Sequence, residues 1–207
     1  SSLAYAKRKT EELDLNIDYM QADILDLVRL DKRFNIIECA GVLHHMDDPM
    51  AGWKSLTDCL ELGGLMKIAL YSELARKDIV RMREEIRHLA IGSSAIAMRF
   101  FRNHLINSSE VHHKGIRSTK DFYSLSELRD LLFHVQEHRF TIPQLKDSLS
   151  ELDLKFCGFE ADSIVRDFKL TNTGTNDPYN LDKWYIYEQE NPNTFISMYQ
   201  FWCQRIF

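Results

Sequence analysis

The chain has 207 residues, 44% apolar and 28% charged, with 11% aromatics, 8 Gly and 4 Pro, which excludes disordered, collagen-like and coiled-coil chains and points to one packed domain over residues 1–207. Its 31 Asp and Glu against 26 Lys and Arg give a formal net charge of −5, which argues against a dedicated nucleic-acid binder, and no apolar run reaches the roughly 18–20 residues of a membrane-spanning helix. Cys39, Cys59, Cys157 and Cys203 are widely spaced, with no Cys-x-x-Cys pair and no secretory leader before them, so they read as reduced thiols of a cytoplasmic protein.

In chain order, Ser2 to Leu13 is rich in helix formers, with Leu3, Ala6 and Leu13 apolar among Lys7, Arg8, Lys9, Glu11 and Glu12, and predicts a helix ended by Asn16. Asn16 to Gln21 alternates at period two and predicts a strand running into a loop over Ala22 to Leu27. Phe34 to Gly41 is a short, nearly continuous apolar run, the pattern of a parallel strand covered on both faces. Asp47-Asp48-Pro49 then starts a helix with Met50, Trp53, Leu56 and Leu60 on one stripe, Gly63-Gly64 ends it, and Leu65 to Tyr71 is the next strand.

Residues 73–150 break this α/β rhythm and read as a mainly helical insertion. A helix rich in Arg, Lys and Glu is expected from about Glu73 to Ala90, the stretch from Gly92 to Thr119 is ambiguous, and two capping boxes, Ser124 with Glu127 and Thr141 with Gln144, open two more helices. Leu154 to Glu160 predicts a strand, Asn172 to Asn180 a loop, and an aromatic-rich helix or strand closes the chain.

Four patterns stand in this order: Gln21-Ala22-Asp23-Ile24 after a strand, FNIIECAGVLHHMDDP from Phe34, LELGG from Leu60 before a strand, and a late hydrophobic strand. Together they resemble the class I S-adenosylmethionine-dependent methyltransferases, and the tail WYIYEQENPNTFISMYQFW from Trp184 is similar to methyltransferase domains that often follow tetratricopeptide repeats. The resemblance implies a Rossmann-like α/β sheet, S-adenosylmethionine as cofactor, a small-molecule methyl acceptor and a possible N-terminal repeat domain. It implies that Asp23 accepts from the adenine amino group while Ile24 covers the ring, and that Ala40 and Gly41 let the backbone approach the methionine part of the cofactor. Gly63-Gly64 resembles the turn before the fifth family strand, with Leu62 in place of the usual proline. The family's glycine-rich loop and the acidic residue after its second strand are not in this sequence, and Ser1 to Ala6 resembles the helix after that strand. The chain, which starts with Ser1 rather than Met, is therefore expected to be N-terminally truncated.

Each functional reading has a plainer competitor. Asp23 could merely cap a loop, and Ala40 and Gly41 could serve close packing. His44 and His45, at the rim where substrate would lie, are candidates for a general base or for loop-ordering hydrogen bonds. Tyr71, at the end of the strand after them, has a similar claim, with ordinary packing as its plainer reading. Arg76, Lys77, Arg81, Arg83 and Arg87 alternate with acidic residues and read as a solvated helical face with i,i+4 pairs. Met98, Phe100, Phe101 and Leu105 fit a core better than a substrate lid. No metal site is expected: His134 and His138 lack the metalloprotease glutamate, and His112-His113 has no carboxylate or cysteine at ligand spacing. Two further classes compete with the enzyme: a non-catalytic methyltransferase-like remnant, supported by the absent glycine loop, and a nicotinamide-dependent oxidoreductase, which lacks any motif of its own here.

Overall fold

The computed structural model describes residues 2–117, 119–133 and 136–206. Five strands, β1 (Phe34–Ala40), β2 (Leu60–Ser72), β3 (Arg139–Phe140), β4 (Leu154–Phe159) and β5 (Tyr199–Arg205), form one sheet in the order β1-β2-β5-β4, with β3 pairing the end of β2. β1 and β3 run parallel to β2, while β5 is antiparallel to both β2 and β4. The helices are α1 (Ser2–Glu12), α2 (Pro49–Asp58), α3 (Lys77–His88), α4 (Ala95–Asn107), α5 (Val111–Arg117), α6 (Leu125–Leu132), α7 (Ile142–Glu151), α8 (Asp162–Lys169) and α9 (Leu181–Glu190). The element order is that of an α/β protein, as the sequence predicts.

Local chemistry fixes the helix starts. At α2, Asp48 Oδ1 accepts from the N–H groups of Met50 (2.9 Å) and Ala51 (3.1 Å), and Pro49 occupies the first turn. At α7 the capping box is complete: Thr141 Oγ1 accepts from the Gln144 N–H, and Gln144 Oε1 accepts from the Thr141 N–H at 2.8 Å. α2 ends at Asp58, earlier than expected. Leu60 therefore begins β2 instead of closing the helical stripe, and Gly63, at φ +79°, lies within the strand where the β1–β2 register shifts.

Three further expectations fail. Asn16 to Gln21 belongs to no strand, because none of the described strands pairs with it; Ile24–Leu30 forms a 3-10 helix where a loop was expected. β1 is an edge strand, and only Cys39 in it is buried. Its Phe34, Ile36, Glu38 and Ala40 share an open sheet face with Leu65 and Lys67, so Ile36 is 60% exposed instead of covered on both faces.

The opposite face carries the main core. Met66, Ile68 and Leu70 of β2 and Tyr199, Phe201 and Cys203 of β5 point into it at period two, against Trp53, Leu56, Leu145, Leu149 and Trp184 from the helices. Phe168 of α8 stacks on Trp184 of α9 at a centroid distance of 3.8 Å.

α3 to α6 enclose a second core of Met82, Ile86, Phe101, Leu105, Ile116, Phe122, Leu128, Leu131 and Leu132. The ambiguous stretch thus resolves into α4 and α5. Met98, Phe101 and Leu105 are fully buried, while Phe100 projects to solvent. α7, by contrast, packs into the main core through Ile142, Leu145 and Leu149.

Candidate active site

β1 ends in Ala40 and Gly41. Gly41 has φ +74° and no heavy atom within 4 Å of where a Cβ would stand, so glycine is needed there for the backbone turn and not to relieve crowding. The turn leads into a short 3-10 segment, Leu43–His45, that lies beside the end of β2. The carboxyl ends of the two parallel strands, where open α/β sheets bind ligands, therefore meet here.

His44 is completely buried, and neither of its ring nitrogens has a hydrogen-bond partner. Its ring lies edge-on to His45 at a centroid distance of 4.3 Å and against Tyr71 at 4.1 Å. Burial, reinforced by His45, lowers its pKa to about 4, so the imidazole is neutral at physiological pH. His45 is half-exposed, and its Nδ1 is 3.1 Å from the Gln136 carbonyl.

Arg76 lies over the Tyr71 ring, its Cζ 3.6 Å from the centroid. Burial raises the Tyr71 pKa despite that cation. Arg76 is only 5% exposed and donates through Nη2 to Glu137 Oε2 at 2.7 Å; Arg83 Nη2 donates to the same oxygen at 2.9 Å. Burial pushes the Glu137 carboxyl up, but the two guanidiniums outweigh it and hold the pKa below the usual carboxylate range. The expectation of a solvated basic face is corrected for these two arginines: their partner is 61 and 54 residues away, not one helical turn. Arg76 Nε, Glu137 Oε1 and His138 Nε2 are also buried without a hydrogen-bond partner, so polar valences converge around Tyr71.

The segment holding Glu137 crosses the site. The His138 N–H donates to the His44 carbonyl at 2.8 Å, Gln136 Nε2 donates to the Met46 carbonyl and to Asp47 Oδ1, and β3 then pairs Arg139 with Tyr71 and Phe140 with Ser72. His138 is thus on an extended segment and not on a helix, and His134 lies outside the described residues. Beneath this, on the core side of β2, Glu188 Oε1 accepts from Ser72 Oγ (2.7 Å) and Tyr199 Oη (2.6 Å), and burial raises its pKa against both bonds.

Asp23 caps the Ile24–Leu30 segment, its Oδ1 accepting from the Leu25 N–H at 2.9 Å while the residue stays exposed. Ile24 packs half-buried against the main core. The structure thus gathers Ala40, Gly41, His44, His45 and Tyr71 at the neighbouring carboxyl ends of β1 and β2. Arg76 and Glu137 complete the site unforeseen. In sequence they gave no signal beyond a glutamate flanked by two histidine-rich positions.

Residues 1–68 match the family model described as a methyltransferase domain, and that stretch contains Asp23, Ile24, Ala40, Gly41, His44 and His45. Two solved structures of PKMT2 from Rickettsia typhi resemble the chain at 14% identity: one, with a TM-score of 0.65, over 98% of this chain and 40% of its own, and the other, in complex with AdoHcy, with a TM-score of 0.69 over 99% and 42%. The chain shares the fold of these PKMT2 structures, and its first third matches a methyltransferase domain. A curated relative of this methyltransferase-like chain, the uncharacterized protein syc1184_c of Synechococcus sp., is 27% identical over 203 residues, covering 90% of this chain and 48% of that protein. The chain spans about half the length of the curated relative it matches. None of the helices among the described residues is long and apolar enough to cross a membrane.

Proposed function

We propose that the protein transfers a methyl group from S-adenosylmethionine to an oxygen, nitrogen or carbon nucleophile of a small molecule. The observation that carries this reading is the methyltransferase-domain match over residues 1–68, the stretch holding every residue assigned to the cofactor. The AdoHcy bound to the similar PKMT2 supports it, since AdoHcy is the demethylated product of that cofactor. Asp23 accepts from the adenine amino group, Ile24 covers the ring, and the Ala40-Gly41 turn admits the methionine end. A cytoplasmic setting fits the four free cysteines.

The acceptor lies against His45, which is half-exposed at the rim. His44 acts as a positioning residue: enclosed and neutral at a pKa of about 4, it is a poor general base but a firm edge for the His45 ring. S-adenosylmethionine, when bound, would supply the methyl group from its sulfonium and leave as AdoHcy, with the acceptor's proton passing to water at the rim; the residues here would contribute alignment and a dry pocket.

Two exposed-side variants test the reading. Asp23→Ala should weaken S-adenosylmethionine binding about tenfold, the loss of roughly one hydrogen bond to a ligand. His45→Ala should leave that affinity unchanged while lowering transfer of radiolabelled methyl to small-molecule fractions. Unchanged cofactor affinity in Asp23→Ala would remove Asp23 from the site.

A further inference from the structure

The helical part of the chain holds a second cluster of reactive side chains, remote in sequence from the strand ends. Glu85 on α3 receives two neighbouring histidines of α5 at once: His112 Nε2 lies 2.5 Å from Oε1 and His113 Nε2 lies 2.7 Å from Oε2. Both histidines are buried. His104 on α4 stands beside them, its ring centroid 5.7 Å from that of His113. One ligand atom each from Glu85, His104 and His113 lies within 4.8 Å of the other two. The cluster opens into a groove of about 700 Å³ that His88 and Ser108 also line.

From this geometry we infer that Glu85, His104 and His113 bind a zinc-class divalent transition-metal ion, a site independent of methyl transfer. Two imidazoles and one carboxylate suit zinc, nickel or copper, whereas magnesium and calcium call for oxygen ligands alone. Tetrahedral metal–ligand bonds of about 2.0–2.2 Å put ligand atoms roughly 3.4 Å apart. His104, which is exposed, closes the site by moving up to about 1.4 Å, while the His113–Glu85 pair, 2.7 Å apart, opens by about 0.7 Å.

The support around the ligands is of the kind metal sites use. His112 fixes one oxygen of Glu85 and leaves Oε2 for the ion. Ser108 Oγ is 2.7 Å from His113 Nδ1, which leaves Nε2 as the inward ligand atom. A metal takes the neutral imidazole through its lone pair, so protons compete with the ion and affinity falls as pH falls. The fourth position faces the groove and takes water. Glu85 also shows why the sequence hid the site: its carboxylate is 28 residues from His113.

Cobalt(II) titrated into the full chain, followed by visible absorption, tests this directly. One equivalent should bind with the intense bands of four-coordinate cobalt, zinc should displace it, and equimolar zinc should raise the melting temperature. His104→Ala, on the surface and harmless to folding, should weaken binding at least tenfold and abolish the thermal shift, while His88→Ala should bind like the native protein. Absence of stoichiometric cobalt or zinc binding, or native affinity in His104→Ala, would overturn the assignment.

Discussion

His44 cannot take a proton cheaply where it stands. Its pKa is about 4 in the folded protein against 6.5 for a free imidazole, so the unfolded chain binds more protons between those values. The folded state therefore loses stability as pH falls from about 6.5 to 4, by about 3 kcal/mol in total, and the loss is complete below that window. Urea unfolding across this range should show the slope, and His44→Phe should flatten it; an unchanged slope in the variant would assign the proton uptake elsewhere. Glu137 is held charged where His44 is held neutral, but its pKa is also lowered by folding, so its contribution too is lost as pH falls. Its carboxylate is held charged by Arg76 and Arg83, and removing that charge leaves two buried guanidiniums without their partner. Glu137→Gln should cost about 3–5 kcal/mol in denaturant unfolding at neutral pH. A cost below 1 kcal/mol would mean that water reaches the pair.

At the scale of elements, the last third of the chain is held by aromatic packing between α8, α9 and the sheet. Trp184 is fully buried, stacks on Phe168 and donates its indole N–H to the Pro178 carbonyl at 2.9 Å. Trp184→Ala should therefore cost about 3–5 kcal/mol, read by thermal or urea unfolding. Elements whose signals are local were legible in the sequence: the Asp48-Pro49 start of α2 and the Thr141–Gln144 box of α7 depend only on residues within one turn. Elements that depend on a neighbour were not. Asn16 to Gln21 alternates like a strand but has no described strand beside it, and Phe34 to Gly41 reads as doubly covered although only one face meets the core. The same limit applied to the site. Ala40, Gly41, His44 and His45 were found because they are contiguous, whereas Arg76 with Glu137, and Glu85 with His113, meet only after the helices pack.

Across the whole molecule the sheet has one covered and one open face. The open face carries Ile36 and Leu65 at more than a third exposure, Leu15, Ile17 and Met20 are exposed in the segment before β1, and among the described residues one edge of β1 is unpaired. Exposed apolar edges promote strand pairing between chains. The chain of residues 1–207 should self-associate with rising concentration in light scattering, and Ile36→Lys should reduce it; equal scattering would place the sticky surface elsewhere. The central claim is that the carboxyl ends of β1 and β2 belong to a cofactor site for methyl transfer. Calorimetric titration of S-adenosylmethionine into the natural polypeptide that carries these residues tests it most directly. One saturable site, competed by AdoHcy, is the predicted result. A protein that is folded by circular dichroism yet gives no saturable heat with either ligand would contradict the account.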